Sequence, residues 1–435
     1  KATMRMSSLK MAFALRLHLN PMTRTNFRHF SASSNSIACA ADALTNHPSN
    51  NVPEHIAAKL GQNLHLQPNH PIATIRSKIE DYWNKRHLSL GAPKFECLSG
   101  LHPVVNITHN FDDLLIKKGH VSRRPSDTYY VDSERVLRTH TSAHQSTLLG
   151  QGSNAFLVTG DVYRRDEIDR SHYPVFHQME GVRMFPSSTD GIATEEEMTL
   201  VVDDLKEGLE GMVKELFGQD TPQRWVDAYF PFTQPSLELE VFYDDQWMEV
   251  LGCGVIQRDI LTRAGRQDIG WAFGLGLERL AMVLFKIPDI RLFWSTDERF
   301  LSQFKAGEVA TFKPFSSHPP CSKDVSFWLP EGATVGDWDI NAEGEELSNT
   351  DEVIVKDNVL FHPNDLFELV RQVGGDIVES VELIDEFLHP KTKKLSQCYR
   401  ISYRHMTRTL TNEEVDKLQL DVRELIAKEL GVELR

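Results

Sequence analysis

Apolar positions recur along this chain at two distinct periods. In IATIRSKIEDYWNKR, after His70, Ile72, Ile75, Ile79 and Trp83 fall three or four residues apart. Pro71 suits a first helical position, so the spacing predicts an amphipathic helix starting there. TEEEMTLVVDDLKEGLEGMVKELF (194–217) repeats that period, with acids crowding its first turn. Elsewhere the period drops to two. The run up to Thr139, AFLVTGDVY at 155–163 and LELEVFYDDQWMEVLGCGV at 237–255 read as strands, with Asp244-Asp245 as a turn that splits the last into a pair. Strands joined by short turns predict an antiparallel sheet with helices against it, rather than βαβ units.

Residues 300–314 lose both periods and are expected to form a linker. From Phe315 a second unit begins. DVSFWL, DIVESVELIDEFL and QCYRISYRHM read as strands, HPNDLFELVRQVG and NEEVDKLQLDVRELIAKEL as helices. The order β-α-β-β-α, with room for one more strand, predicts a ferredoxin-like βαββαβ domain. The overall class is therefore α/β (α+β), in two globular domains.

Composition narrows the functions open to such a chain. At 435 residues it exceeds one ordinary core. No apolar run is long enough to cross a bilayer, so no membrane partner is expected. A net charge of −15 means that any nucleic-acid contact rests on a local basic patch. The five cysteines form no CxxC pair, which excludes a sequence-local zinc knuckle and offers no disulfide framework. The beginning is different in kind: Lys1, Arg5, Lys10, Arg16, Arg24 and Arg28 precede the first acid, Asp42. An acid-free, Arg- and Ser-containing amphipathic start is the composition of a transit peptide. Residues 1–50 are thus expected to be a transit peptide and disordered leader, directing the chain to the mitochondrial matrix, with a plastid as the alternative.

The chemistry concentrates in VYRRDEIDRSHYPVFHQMEG (162–181). A strand, a polar loop and a returning strand would bring Arg164 and Phe176 together at the base of a hairpin. A guanidinium near an aromatic face suits a nucleotide, the cation on a phosphate and the ring on the base. Alone, such a pair is as readily an ion pair with Asp166 beside a core phenylalanine. Two further stretches fit the same ligand. GWAFGLGLERLAM (270–282) fails as a dinucleotide fingerprint, but as a strand entering a helix it lets Gly274 and Gly276 approach a ligand and sends Arg279 toward a phosphate. RTHTSAHQ (138–145) supplies His140, Ser142, His144 and Gln145, a donor set for a small polar ligand rather than a serine nucleophile, since no G-x-S-x-G elbow surrounds Ser142.

Tyr163-Arg164-Arg165-Asp166, His172-Tyr-Pro-Val-Phe176 and GLGLER together resemble the second and third signature motifs of class II aminoacyl-tRNA synthetases. RTHTSAHQ, FHQMEG (176–181), FPFTQPS (230–236), MEVLGCG (248–254) and GWAFGLGLERLAM resemble the phenylalanyl branch of that family. The single-chain layout and YRISYRHMTRTLTNEEV resemble its monomeric organellar form. The resemblance runs from about Pro71 to the C-terminus. It implies a catalytic domain over 51–299, an anticodon-binding domain over 315–435, and ATP-dependent attachment of L-phenylalanine to tRNA(Phe) through an adenylate.

By that resemblance Arg164 and Arg279 are catalytic. ATP would meet Arg164, Ser171, His172, Tyr173, Phe176 and Arg279, with Glu249 as an ATP-proximal or Mg²⁺-linked acid. The amino acid would meet His140, Ser142, Ala143, His144, Gln145, Gln178, Met179 and Glu180. Glu180 would hold its ammonium group while Ser142 and Gln145 donate to its carboxylate. Phe230 and Phe232, two apart on a strand, would grip an aromatic side chain edge-to-face, with Phe273 and Gly252-Cys253-Gly254 completing the wall.

Tyrosine is the expected misreading, because an apolar pocket rejects a hydroxyl only weakly. In the second domain Lys391, Lys393, Lys394, Arg400, Arg404 and Arg408 stand in an acid-free run (391–408) and would contact tRNA, unless they merely blunt an exposed edge strand. The rival reading is a synthetase-like tRNA-binding protein without catalysis. Removing the residues after Phe315 is expected to spare adenylation and abolish charging.

Overall fold

The computed structural model describes residues 43–187, 193–315, 318–330 and 361–435. The expected leader lies outside these residues except for positions 43–50. Among the described residues no helix is long and apolar enough to cross a membrane.

Among the described residues thirteen strands build three sheets. The strands are β1 (Glu96–Leu98), β2 (Val104–Asn106), β3 (Arg135–Leu137), β4 (Ala155–Tyr163), β5 (Val175–Phe185), β6 (Gln223–Ala228) and β7 (Thr233–Tyr243). They continue with β8 (Gln246–Ile256), β9 (Ile269–Gly276), β10 (Cys321–Trp328), β11 (Val378–Leu388), β12 (Leu395–Tyr403) and β13 (Glu433–Leu434). The large sheet has the order β1-β4-β5-β9-β8-β7-β6 and is antiparallel except where β1 runs parallel to β4. β2 and β3 pair with each other beside it. The turn between β7 and β8 is Asp244-Asp245, with φ of 53° and 63°, the left-handed pair that suits a tight hairpin.

Helices cover one face of the large sheet. α1 (Pro71–Ser89) starts at Pro71 as its sequence requires, and the His70 imidazole accepts from the Ile72 N–H. Its apolar stripe, Ile72, Ile75, Ile79 and Trp83, is wholly buried. The Trp83 ring stacks on Phe273 with centroids 5.3 Å apart and packs against Trp271 at 5.2 Å. α2 (Glu195–Phe217) opens on a reciprocal cap between Thr194 and Glu197. Asp204 then ties α2 down, accepting from Arg183 and Trp271 on the sheet and from Arg86 on α1. A third helix, α3 (Leu277–Phe285), follows β9 directly. No helix or strand stands among the described residues between Leu301 and Cys321, yet Phe304 and Phe312 are buried in the large core. The expected linker is therefore packed against the first domain.

The second domain adds α4 (Pro363–Gly374) and α5 (Asn412–Leu430) on one face of the sheet β11-β12-β10-β13, which is the ferredoxin-like arrangement. Val325, Phe327, Tyr399, Ile401 and Tyr403 from the sheet meet Leu366, Val370, Val415, Val422 and Ile426 from the helices. This domain rests on the first through buried polar contacts. Glu368 of α4 accepts from the Tyr129 hydroxyl at 2.7 Å and lies 3.0 Å from His55 and 3.4 Å from Arg371. Burial opposes its charge, but His55, Arg371 and Arg165 outweigh that and hold its carboxyl down to about 2.

A depressed carboxyl stabilises the folded chain above its ordinary value near 4.5, and that contribution is lost as pH falls toward 2. Glu368→Ala should cost about 3 kcal/mol, because it strands buried cations. It should also flatten the acid limb of the melting temperature measured against pH.

Candidate active site

β5 sets the site. Alternation along the strand sends Phe176, Gln178 and Glu180 to the face that α1 and α2 leave open, and His177 and Met179 into the core behind. The connection from β4 begins at Arg164, whose N–H donates to Pro174 O at 3.0 Å and whose Nε donates to Thr139 O at 2.8 Å. Its guanidinium carbon then lies 5.3 Å from the centre of the Phe176 ring. The loop is shaped by Asp169, which accepts from the backbone N–H of Ser171 and of His172 at 2.6 and 2.7 Å, and from the His172 Nδ1 at 2.7 Å. Burial works against a charged His172, but Asp169, aided by Asp166 and Glu167, outweighs it and raises the imidazole pKa above its usual value.

On the far side of β5, Glu278 in the first turn of α3 accepts from the His177 N–H at 2.7 Å and from its Nδ1 at 2.6 Å. This two-point grip fixes α3 against β5, so that Arg279 reaches the same hollow as Phe176. Arg279 NH1 donates to Glu249 O at 3.3 Å and lies 3.5 Å from the Glu249 carboxylate. The resulting cavity of about 340 Å³ is lined by Arg164, Ser171, His172, Tyr173, Phe176, Glu249 and Arg279. All seven residues expected to meet ATP therefore share one wall. Gly274 and Gly276 border it, and nothing stands within 4 Å of the space a side chain there would fill.

A second cavity, of about 560 Å³, adjoins the first. Arg164, Asp166, Gln178, Glu249 and Gly274 line both. It brings together His140, Ser142, Gln145, Gln178, Glu180, Phe230, Phe232 and Phe273 from the expected amino-acid set. Three of that set are not among its lining residues. Ala143 is packed in the core beneath, Met179 is in the core behind β5, and the His144 Nε2 is engaged with Arg138 at 2.9 Å.

Phe230 and Phe232 differ from expectation in their place. They precede β7 in a turn rather than lying on a strand, and their rings lie stacked on each other, 5.6 Å apart and 9° from parallel. Gly252 on β8 allows this, since a Cβ there would stand 2.7 Å from the Phe230 ring. Phe273 keeps its ring on Trp83, so Ala272 and Gly274 are the β9 positions that point into the cavity.

Electrostatics in this cavity are unbalanced. Glu180 is 2% exposed, and neither of its carboxylate oxygens has a partner in hydrogen-bond geometry. Burial pushes its pKa up to about 8, moderated only by the nearby Ser142 hydroxyl. Burial and Arg164 lower His140 to about 3, and burial and Arg138 do the same for His144, so both imidazoles are neutral.

Beneath the segment, Arg138 donates to Asp161 O and Oδ1, both at 2.6 Å, and to Leu101 O at 3.0 Å. The Tyr163 hydroxyl donates to the other Asp161 oxygen. Sequence reasoning missed this buried support; the only signal was a charged pair, Arg138 and Asp161, inside otherwise apolar strand ends. Near Arg279, burial and the neighbouring Glu249 and Glu240 raise the pKa of Glu238. Glu240 and Glu249 each face a guanidinium, Arg224 at 2.5 Å and Arg279 at 3.5 Å, so Glu249 offers Mg²⁺ a single hard oxygen donor set, and the group spaced to hold a metal among the described residues is Glu167, Asp169 and His172.

The basic residues of the second domain are largely engaged. Lys394 pairs with Glu433 at 3.3 Å, Arg400 with Asp324 at 2.8 Å, Arg404 with Glu379 at 3.1 Å and Arg408 with Glu414 at 2.9 Å. Lys391 and Lys393 stand exposed at the tip of the β11–β12 hairpin.

Comparison with known proteins gives these cavities a context. Residues 57–304 match the family described as tRNA synthetases class II core domain (F), and residues 316–435 match the ferredoxin-fold anticodon binding domain. A chloroplastic/mitochondrial phenylalanine–tRNA ligase of Arabidopsis thaliana is 50% identical over 391 residues, 89% of this chain and 83% of that protein. A mitochondrial phenylalanine–tRNA ligase of Dictyostelium discoideum is 42% identical over 457 residues, 94% of this chain and 95% of its own. Its mouse counterpart is 46% identical over 413 residues, covering 88% and 86%.

Without a cationic neighbour Glu180 keeps its proton at neutral pH. An ammonium group seated beside it would restore the charge, so binding of an α-amino acid at pH 7 should release about one proton. Titration calorimetry with L-phenylalanine in two buffers of different ionisation enthalpy measures this. Glu180→Gln should remove the buffer dependence and weaken binding at least about tenfold.

Proposed function

Because the chain belongs to the phenylalanine–tRNA ligases of the class II aminoacyl-tRNA synthetases, we propose that its two joined cavities hold ATP and L-phenylalanine for the two half-reactions. The enzyme attaches phenylalanine to tRNA(Phe) for organellar translation. The observation that carries the residue-level reading is the wall common to both cavities, where Arg164 stands.

ATP lies with its base on Phe176 and its phosphates toward Arg164 and Arg279. Phenylalanine enters the larger cavity, with its ring toward Phe230 and Phe232 and its ammonium group on Glu180. Ser142 and Gln145 hold its carboxylate. One carboxylate oxygen then attacks the α-phosphate, the bond to the β-phosphate oxygen breaks, and pyrophosphate leaves. No side chain acts as nucleophile. The chain's contribution is alignment of the two reactants and cationic charge at the phosphorus.

Mg²⁺ is assigned to Glu249, where it would neutralise phosphate charge. In the second step the terminal 2′-hydroxyl of tRNA displaces AMP from the adenylate. Within the basic run 391–408, Lys391 and Lys393 are the residues most open to RNA. A monomer in the mitochondrial matrix is the reading we carry forward; the relatives' names, mitochondrial or in one case chloroplastic/mitochondrial, support the organelle.

Phenylalanine-dependent ATP–pyrophosphate exchange, surveyed across amino acids, tests this. Exchange should be strongest with phenylalanine and on the order of a hundredfold weaker with tyrosine. Arg164→Ala and Arg279→Ala should each lower it by about 10²–10³ with unchanged melting temperature. Near-normal exchange in both variants would remove these arginines from the mechanism.

A further inference from the structure

The loop that carries the ATP residues from Arg164 to Pro174 has no regular structure of its own, and one side of it faces the ATP cavity. Its other side rests on the second domain. Four consecutive loop carbonyls, from Arg165 to Ile168, accept hydrogen bonds from that domain. Asn364 Nδ2 donates to Arg165 O at 3.2 Å, and Arg371 NH2 donates to Asp166 O at 3.1 Å and to Glu167 O at 3.2 Å. The Val381 N–H donates to Ile168 O at 3.0 Å. The Ile168 side chain is 6% exposed and belongs to the core of the second domain, not to that of its own. At the loop's end the Tyr173 hydroxyl donates to the Asp376 carboxylate at 2.7 Å.

A loop bonded at this density to a rigid partner loses most of its alternative shapes before the ligand arrives, which favours binding by preorganisation. We propose that the second domain is a working part of the ATP site: docked as it is here, it holds the loop in its ATP-binding shape, and Arg371 is the principal positioning residue. This rests on the adenylation reading of the two cavities but extends it, because that reading gives the second domain a role only toward tRNA. It also reverses the sequence-level expectation that residues after Phe315 are dispensable for adenylation. Arg371 touches no reacting atom. It acts through the consecutive backbone carbonyls of Asp166 and Glu167, and Asp166 lines both cavities.

The test is ATP–pyrophosphate exchange by the full-length chain, without tRNA. Arg371→Ala should raise the KM for ATP about tenfold, the loss expected when two charge-assisted hydrogen bonds go, and leave the KM for phenylalanine within twofold. Arg371→Lys should recover much of that loss. Asp376→Ala is a second variant at an exposed position, where folding is not at stake, and should raise the KM for ATP about threefold. If the unaltered chain shows no phenylalanine-dependent exchange, the underlying reading fails. If it does, and both alanine variants keep the KM for ATP within twofold, the positioning role alone is overturned. A parallel rise of both KM values with a lowered melting temperature would mean general loosening, and would also count against it.

Discussion

The register of β5 is the constraint on which the site depends. The strand is hydrogen-bonded to β4 along one edge and to β9 along the other, with Glu180 opposite Val158 and Gly274. A slip of one residue would turn Phe176, Gln178 and Glu180 into the core and bring His177 and Met179 to the ligands. Two features outside the ladder oppose such a slip. Met179 is wholly buried in the apolar core, and the Glu278 carboxylate holds the backbone N–H and the Nδ1 of His177. The same grip brings α3, and with it Arg279, to the hollow that Phe176 lines, so the smaller cavity and the strand register are one geometric fact.

Much of the fold was legible because it rests on local chemistry. Pro71 and the Thr194–Glu197 pair mark helix starts through interactions spanning a few residues, and Asp244-Asp245 marks a hairpin through its own backbone preference. The ferredoxin-like order followed from counting elements. What stayed illegible was pairing over distance. Arg400 meets Asp324, 76 positions away, only because β12 and β10 lie side by side in one register. The stacked Phe230 and Phe232 escaped for a different reason: alternating apolar residues look the same in a strand and in the turn that leads into it.

The site divides along the same line. Motif residues on one hairpin, Arg164 and Phe176, come together as their spacing suggested. Neighbours within a motif do not all follow, because Ala143 and Met179 alternate away from residues that face the cavity. The Arg138–Asp161 support and the second domain's grip on the ATP loop were invisible for want of any local pattern. Each centres on an arginine that meets backbone carbonyls far along the chain.

The pairing of four of the six basic residues in the run 391–408 has a consequence for how the enzyme meets RNA. In a chain of net charge −15, arginines already matched to acids project little attraction beyond contact distance. A phosphate that reached one of these arginines would have to displace an acid that already satisfies it. Such a surface would hold an RNA by the number of contacts its shape completes rather than by charge at a distance, which would favour selectivity over avidity.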